Sequence, residues 1–70
     1  MSVNAKRLRE LRKKKGVKQE VVAMETGLSI KTIYRYESAK VKRPDKKTLK
    51  KLADYYGVDL SYILETNEVA

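Results

Sequence analysis

Seventy residues give room for one small domain with a modest core and no deep catalytic cleft beside it. Neither cysteine nor histidine occurs, which removes disulfides, thiolate metal sites, the usual general base and the usual neutral metal ligand. The net charge of +8 rests on 17 Lys or Arg against 9 Asp or Glu, which suits a polyanionic partner or serves only as a solvated lysine-rich surface. No apolar run approaches the roughly 18 residues that cross a bilayer, and no apolar signal core follows the basic N-terminus. A cytoplasmic protein with no membrane contact is expected. No nucleophile–base pair or metal constellation can be assembled, so neither an enzyme nor a cofactor or metal site is expected.

In chain order, the pattern predicts five helices and no strand. The first covers about residues 5–14. Asn4 can cap it, because its side-chain oxygen accepts a free backbone N–H. Ala5, Leu8 and Leu11 form a narrow apolar stripe, the lysines near its end suit the helix dipole, and Gly16 stops it. Arg9 and Arg12 lie off that stripe and are candidates for phosphate contact. The second helix covers Gln19–Thr26 and ends at Gly27. Ser29 then caps a third, Ile30–Glu37. A basic loop, residues 38–44, leads to Asp45, the predicted cap of a fourth helix over Lys46–Tyr56. There Leu49, Leu52, Ala53 and Tyr56 fall at i, i+3, i+4 and i+7. Gly57 closes that helix, and Asp59 is the expected cap of a last short one over residues 60–64. Residues 66–70 read as a frayed acidic tail.

The expected core is Leu8, Leu11, Val17, Val22, Ala23, Leu28, Ile33, Tyr36, Leu49, Leu52, Ala53, Tyr56, Val58, Ile63 and Leu64. The whole chain, residues 1–70, reads as a single domain without repeats.

Two features point toward function. Gln19, Val22, Ala23, Gly27, Leu28, Ile33 and Tyr36 are spaced as two short helices folded across a tight turn. A small residue lets the helices approach, and glycine supplies the positive φ of the turn. Helix-turn-helix units that dock on DNA need this geometry, here over about residues 19–37. The charge is also segregated. Residues 1–18 hold eight Lys or Arg against Glu10 alone, and residues 40–51 hold seven against Asp45 alone. Residues 52–70 hold four acids and no base. A positive face opposite an acidic end suits a phosphate backbone.

The chain resembles the lambda-repressor-like helix-turn-helix proteins, the phage repressor, Cro and XRE-type group. The resemblance rests on RLRELRKKKGVKQE (residues 7–20), TGLS (26–29), TIYRYE (32–37), KRP (42–44) and LKKLADYYGVDLSYIL (49–64) in order. It implies an all-α, compact five-helix DNA-binding domain whose third helix enters the major groove. It implies that Gln19 bonds a phosphate and steadies the start of the third helix. Ile30, Lys31, Thr32, Tyr34 and Arg35 match the exposed, base-reading positions. Lys40, Lys42 and Arg43 match a loop that grips the backbone, and Arg12 and Glu37 match a pair joining the first and third helices. Val58, Leu60 and Tyr62 match positions of a dimer contact.

Side-chain chemistry refines these roles. Arg35 presents a planar fork that pairs two acceptors on guanine. Lys31 reaches a base or a phosphate. Thr32 offers a hydroxyl or a methyl, or is an ordinary surface residue. Ile30 meets a thymine methyl or folds back on the core. Tyr34 bonds a phosphate or stays idle on the surface. Tyr36 belongs inside. Four departures from the family pattern stand out. Lys18 lacks a capping side chain, Thr26 thins the core beside the turn, and Val21 offers a small apolar patch. Ala39 stands where a glycine often ends the third helix. The expected function is sequence-specific recognition of double-stranded DNA by a transcriptional regulator, a repressor of bacterial or phage origin. It would bind a near-palindromic operator as a weak homodimer strengthened on DNA. The alternative is an antitoxin or protein-interaction adaptor with the same fold.

Overall fold

A computed structural model describes residues 2–65, so the acidic tail at residues 66–70 lies outside the described residues. The elements run β1 (Ser2–Val3), α1 (Ala5–Lys15), α2 (Gln19–Thr26), α3 (Ile30–Glu37), α4 (Lys46–Tyr56), a 3-10 helix (Leu60–Ile63) and β2 (Leu64–Glu65). The helix bounds follow from local chemistry. Asn4, Ser29 and Asp45 each accept a backbone N–H from three residues onward, at 3.1 Å in all three cases. These bonds satisfy donors that helix starts leave free. Gly16 and Gly57 end α1 and α4 in the left-handed region. Lys18 offers α2 no side-chain cap, as its chemistry requires.

Three expectations need correction. The structure has strands: Ser2 pairs with Glu65 and Val3 with Leu64 in a small antiparallel sheet. The Asn4 N–H extends it by donating to the Ile63 carbonyl at 2.8 Å. Strands of two residues carry no alternation that a sequence pattern could reveal. The fifth helix is a 3-10 turn ending at Ile63, with Leu64 in β2 instead. Asp59 precedes that turn without a side-chain capping bond.

The core gathers Leu8 from α1, Val22 and Ala23 from α2, Ile33 and Tyr36 from α3, and Leu49, Leu52 and Ala53 from α4. Ile63 and Val3 close it from the two ends of the described chain. Val3 was missed because its strand was missed. Leu11, Val17, Leu28, Tyr56, Val58 and Leu64 pack against this cluster but stay half-buried. In a domain this small, several core side chains necessarily reach the surface. Thr26 does more than thin the core. Its hydroxyl donates to the Val22 carbonyl at 2.7 Å and accepts from the Leu28 N–H at 3.3 Å. It therefore ties the end of α2 to the turn.

At the end of α3 no glycine is present, and Ala39 takes φ +59°. An L-residue there costs about 1–2 kcal/mol. Ala39→Gly removes that strain but adds about 0.5–1 kcal/mol of chain entropy cost. The net expectation is a gain of about 0.5 kcal/mol in chemical denaturation, and a loss would contradict the strain. Leu49 is fully buried. Leu49→Ala should lower stability by about 2–5 kcal/mol, measured the same way.

Candidate nucleic-acid interface

α2 and α3 meet across a turn at residues 27–29. Gly27 adopts φ +77°, and its N–H donates to the Ala23 carbonyl at 3.0 Å. Only glycine takes this conformation without strain. Leu28 then turns inward, and Ser29 starts α3. Ile33 and Tyr36 fix the inner side of α3 at 1% and 5% exposure. That leaves Ile30, Lys31, Tyr34 and Arg35 on the outer side, all exposed. Ile30 is 47% exposed, so of its two readings the fold-back onto the core does not occur. Thr32 is half-buried, and its hydroxyl shares a 2.9 Å hydrogen bond with Ser29 Oγ. Its first duty is thus at the helix start.

The position of α3 relative to α1 and α2 is set by Glu37, which is 5% exposed. Arg12 Nε donates to both carboxylate oxygens, at 2.8 and 3.0 Å. Gln19 Nε2 donates to Oε1 at 3.0 Å. Arg12 also reaches the Val17 carbonyl at 3.1 Å, and Arg9 Nη1 donates to the Glu37 carbonyl at 2.7 Å. Three residues expected on the phosphate backbone therefore converge on one residue of α3. Gln19 steadies the end of α3 instead of its start. The pair of Arg12 and Glu37 is present. A buried carboxylate is tolerated because charge and hydrogen bonds compensate it. The sequence carried a trace of this: Glu37 lies four residues after Ile33, on the buried stripe.

Beyond α3 the chain enters the basic loop. Arg35, Lys40, Val41, Lys42 and Arg43 line a hollow of about 560 Å³. Four cations around one valine make a strongly positive surface. The Lys40 ammonium stands 5.6 Å from the Tyr34 ring centroid, within cation–π range. Lys42 and Arg43 are exposed, beside Arg35.

The expected dimer residues lie elsewhere, around the 3-10 turn. Val58 and Tyr62 line a groove of about 840 Å³ with Arg7, Asp54 and Asp59. Leu60 packs against the core and is half-buried. Tyr62 is 43% exposed, with the Arg7 guanidinium 4.5 Å from its ring centroid. Arg7 also donates to the Tyr62 carbonyl at 2.9 Å. Neither Arg7 contact was legible in the sequence. Val21 is half-buried, whereas Met24 on the same helix is 75% exposed, so the apolar patch on α2 centres on Met24.

No group of three metal-ligating side chains occurs among the described residues. None of the described helices is long and apolar enough to cross a membrane. Replacing Glu37 by Gln removes the charge that compensates Arg12. Because Arg12 keeps partial access to water, Glu37→Gln should cost about 3 kcal/mol, the low end for a broken buried pair. Urea denaturation reads this, and a loss under about 1 kcal/mol would show the carboxylate to be dispensable.

No curated protein matches the chain. The family model described as Helix-turn-helix (HTH_3) matches residues 8–63, from Leu8 in α1 to Ile63 at the end of the 3-10 turn. That span holds the turn, the Glu37 network, the outward side of α3 and the basic loop. The chain belongs to this helix-turn-helix family, the Cro/C1 or XRE type of DNA-binding transcriptional regulators.

Proposed function

We propose that the protein is a sequence-specific repressor that reads the major groove with α3. The supporting observation is the juxtaposition of Lys31 and Arg35, exposed on a helix braced from behind, with the cationic hollow of the adjoining loop. A fixed helix lets side chains meet base edges in register, while loop cations hold the phosphates. Arg35 takes the role of guanine reader, with its fork on O6 and N7. Lys31 contacts a base or a phosphate at the helix start. Ile30 offers its exposed methyls to a thymine, and Tyr34 flanks the same stripe. Lys42 and Arg43 grip the backbone, with Lys40 beside them. Gln19, Arg9 and Arg12 contribute mainly by bracing, with their remaining donors turned to phosphate.

The repressor acts in the cytoplasm, on a near-palindromic operator. Two copies meet weakly through Val58 and Tyr62, with Leu60 beneath, and the dimer is completed on DNA. Half-sites of a two-fold dimer of this kind lie about 34–36 Å apart, one helical turn. A second reading, a protein-interaction adaptor or antitoxin, draws on the exposure of Met24 on α2. It predicts only weak, salt-labile binding to every duplex.

Arg35→Ala should cost about 1–3 kcal/mol on the preferred duplex and relax its sequence choice. Lys42→Ala should weaken preferred and random duplexes alike and lower the salt slope by about one. Titrations of both duplexes at several salt concentrations read both effects. Equal weakening of the two duplexes by Arg35→Ala would remove Arg35 from the bases.

A further inference from the structure

The loop that carries Lys42 and Arg43 has few attachments of its own. Among the described residues, residues 41–44 make no main-chain hydrogen bond to other main-chain groups. Its first part is held by α3: the Ser38 and Lys40 N–H groups both donate to the Arg35 carbonyl, at 3.3 and 3.1 Å. Its far end is held by a side chain of the same helix. The Asp45 N–H donates to the Tyr36 hydroxyl at 2.8 Å. Asp45 in turn caps α4, accepting from the Thr48 N–H and hydroxyl at 3.1 Å each. The two ends of the loop are therefore tied to adjacent residues of α3.

We propose that the Tyr36 hydroxyl is a positioning group that registers the phosphate-gripping loop to the base-reading helix. This inference rests on the DNA-reading assignment above. The ring of Tyr36 lies in the core at 5% exposure, so its direction is fixed by packing. Burial alone would be served by phenylalanine. The hydroxyl adds a bond that places the loop end, and with it Lys42 and Arg43, at a set distance from Arg35. The turn at Ala39 belongs to the near end of the loop, where the flanking Ser38 and Lys40 N–H groups both bond the Arg35 carbonyl. Without the bond the cations remain, but they meet the phosphates from a loosened tether and lose part of their registration.

Tyr36→Phe tests this, with Tyr55→Phe as the matched control. The Tyr55 hydroxyl donates to Glu25 Oε1 at 2.6 Å, joining α4 to α2 away from the basic loop. Both changes delete one hydroxyl without altering charge. Affinity for preferred and random duplexes is measured against salt. Tyr36→Phe should weaken both duplexes by up to about tenfold, the limit set by one hydrogen bond. It should also flatten the salt slope by about one unit. Tyr55→Phe should leave the slope unchanged. Equal slopes for Tyr36→Phe and the parent protein would overturn the proposal. So would an equal flattening by the control.

A parent protein with no preference among duplexes would instead defeat the DNA-reading assignment, while the random-duplex slopes still test the tether. Amide exchange in the parent protein gives a check that needs no variant. The Asp45 amide should exchange at least tenfold more slowly than those of Lys42 and Arg43, and equal rates would contradict the bond.

Discussion

The buried carboxylate of Glu37 is the constraint on which the rest of the molecule depends. It sits at the last turn of α3, where it collects Arg12 from α1 and Gln19 from α2. Its carbonyl collects Arg9 as well. A hydrophobic contact would hold α3 against its neighbours but tolerate sliding. Directional hydrogen bonds to a charge do not, since any shift leaves a buried charge incompletely paired. The price is a charged pair withdrawn from water. The return is an outer helix face with a defined position.

That arrangement divides the arginines and lysines into two populations. Arg7, Arg9 and Arg12 all have guanidinium groups bonded to the protein's own carbonyls or carboxylate. Lys31, Arg35, Lys42 and Arg43 stand exposed around α3 and its loop. Planar guanidinium groups suit the bracing role because they make several bonds in one plane. The +8 charge is therefore only partly a surface for polyanions. Some of it is structural, and charge counting along the chain does not separate the two uses.

Much of the fold was legible because its signals are local. The bounds followed from a glycine stop for α2, a serine cap for α3, and a cap, a glycine stop and a 3.6-residue apolar period together for α4, each confined to a few neighbouring residues. The small sheet was not legible, because Ser2 and Glu65 are brought together only by the finished fold. For the same reason the sequence hid the Tyr36 hydroxyl's partner, a backbone amide with no side-chain signature. Of the exposed positions on α3 implied by the family resemblance, Ile30, Lys31, Tyr34 and Arg35 are exposed, whereas Thr32 is half-buried because its hydroxyl bonds Ser29 at the helix start. The roles of Arg9 and Gln19 shifted because a basic or amide side chain near a helix start looks the same whether it points to solvent or to a buried acid. The left-handed turn at Ala39 was signalled only by the family pattern, in which a glycine often ends the third helix, because alanine itself carries no mark of a positive φ.

The central claim is that the outward face of α3 reads base edges from a fixed position. Selection of bound duplexes from a random pool tests it most directly. The account predicts enrichment of two related half-sites, each containing a guanine, separated by about one helical turn. Recovery of duplexes with no shared sequence, held only by salt-sensitive attraction, would contradict it.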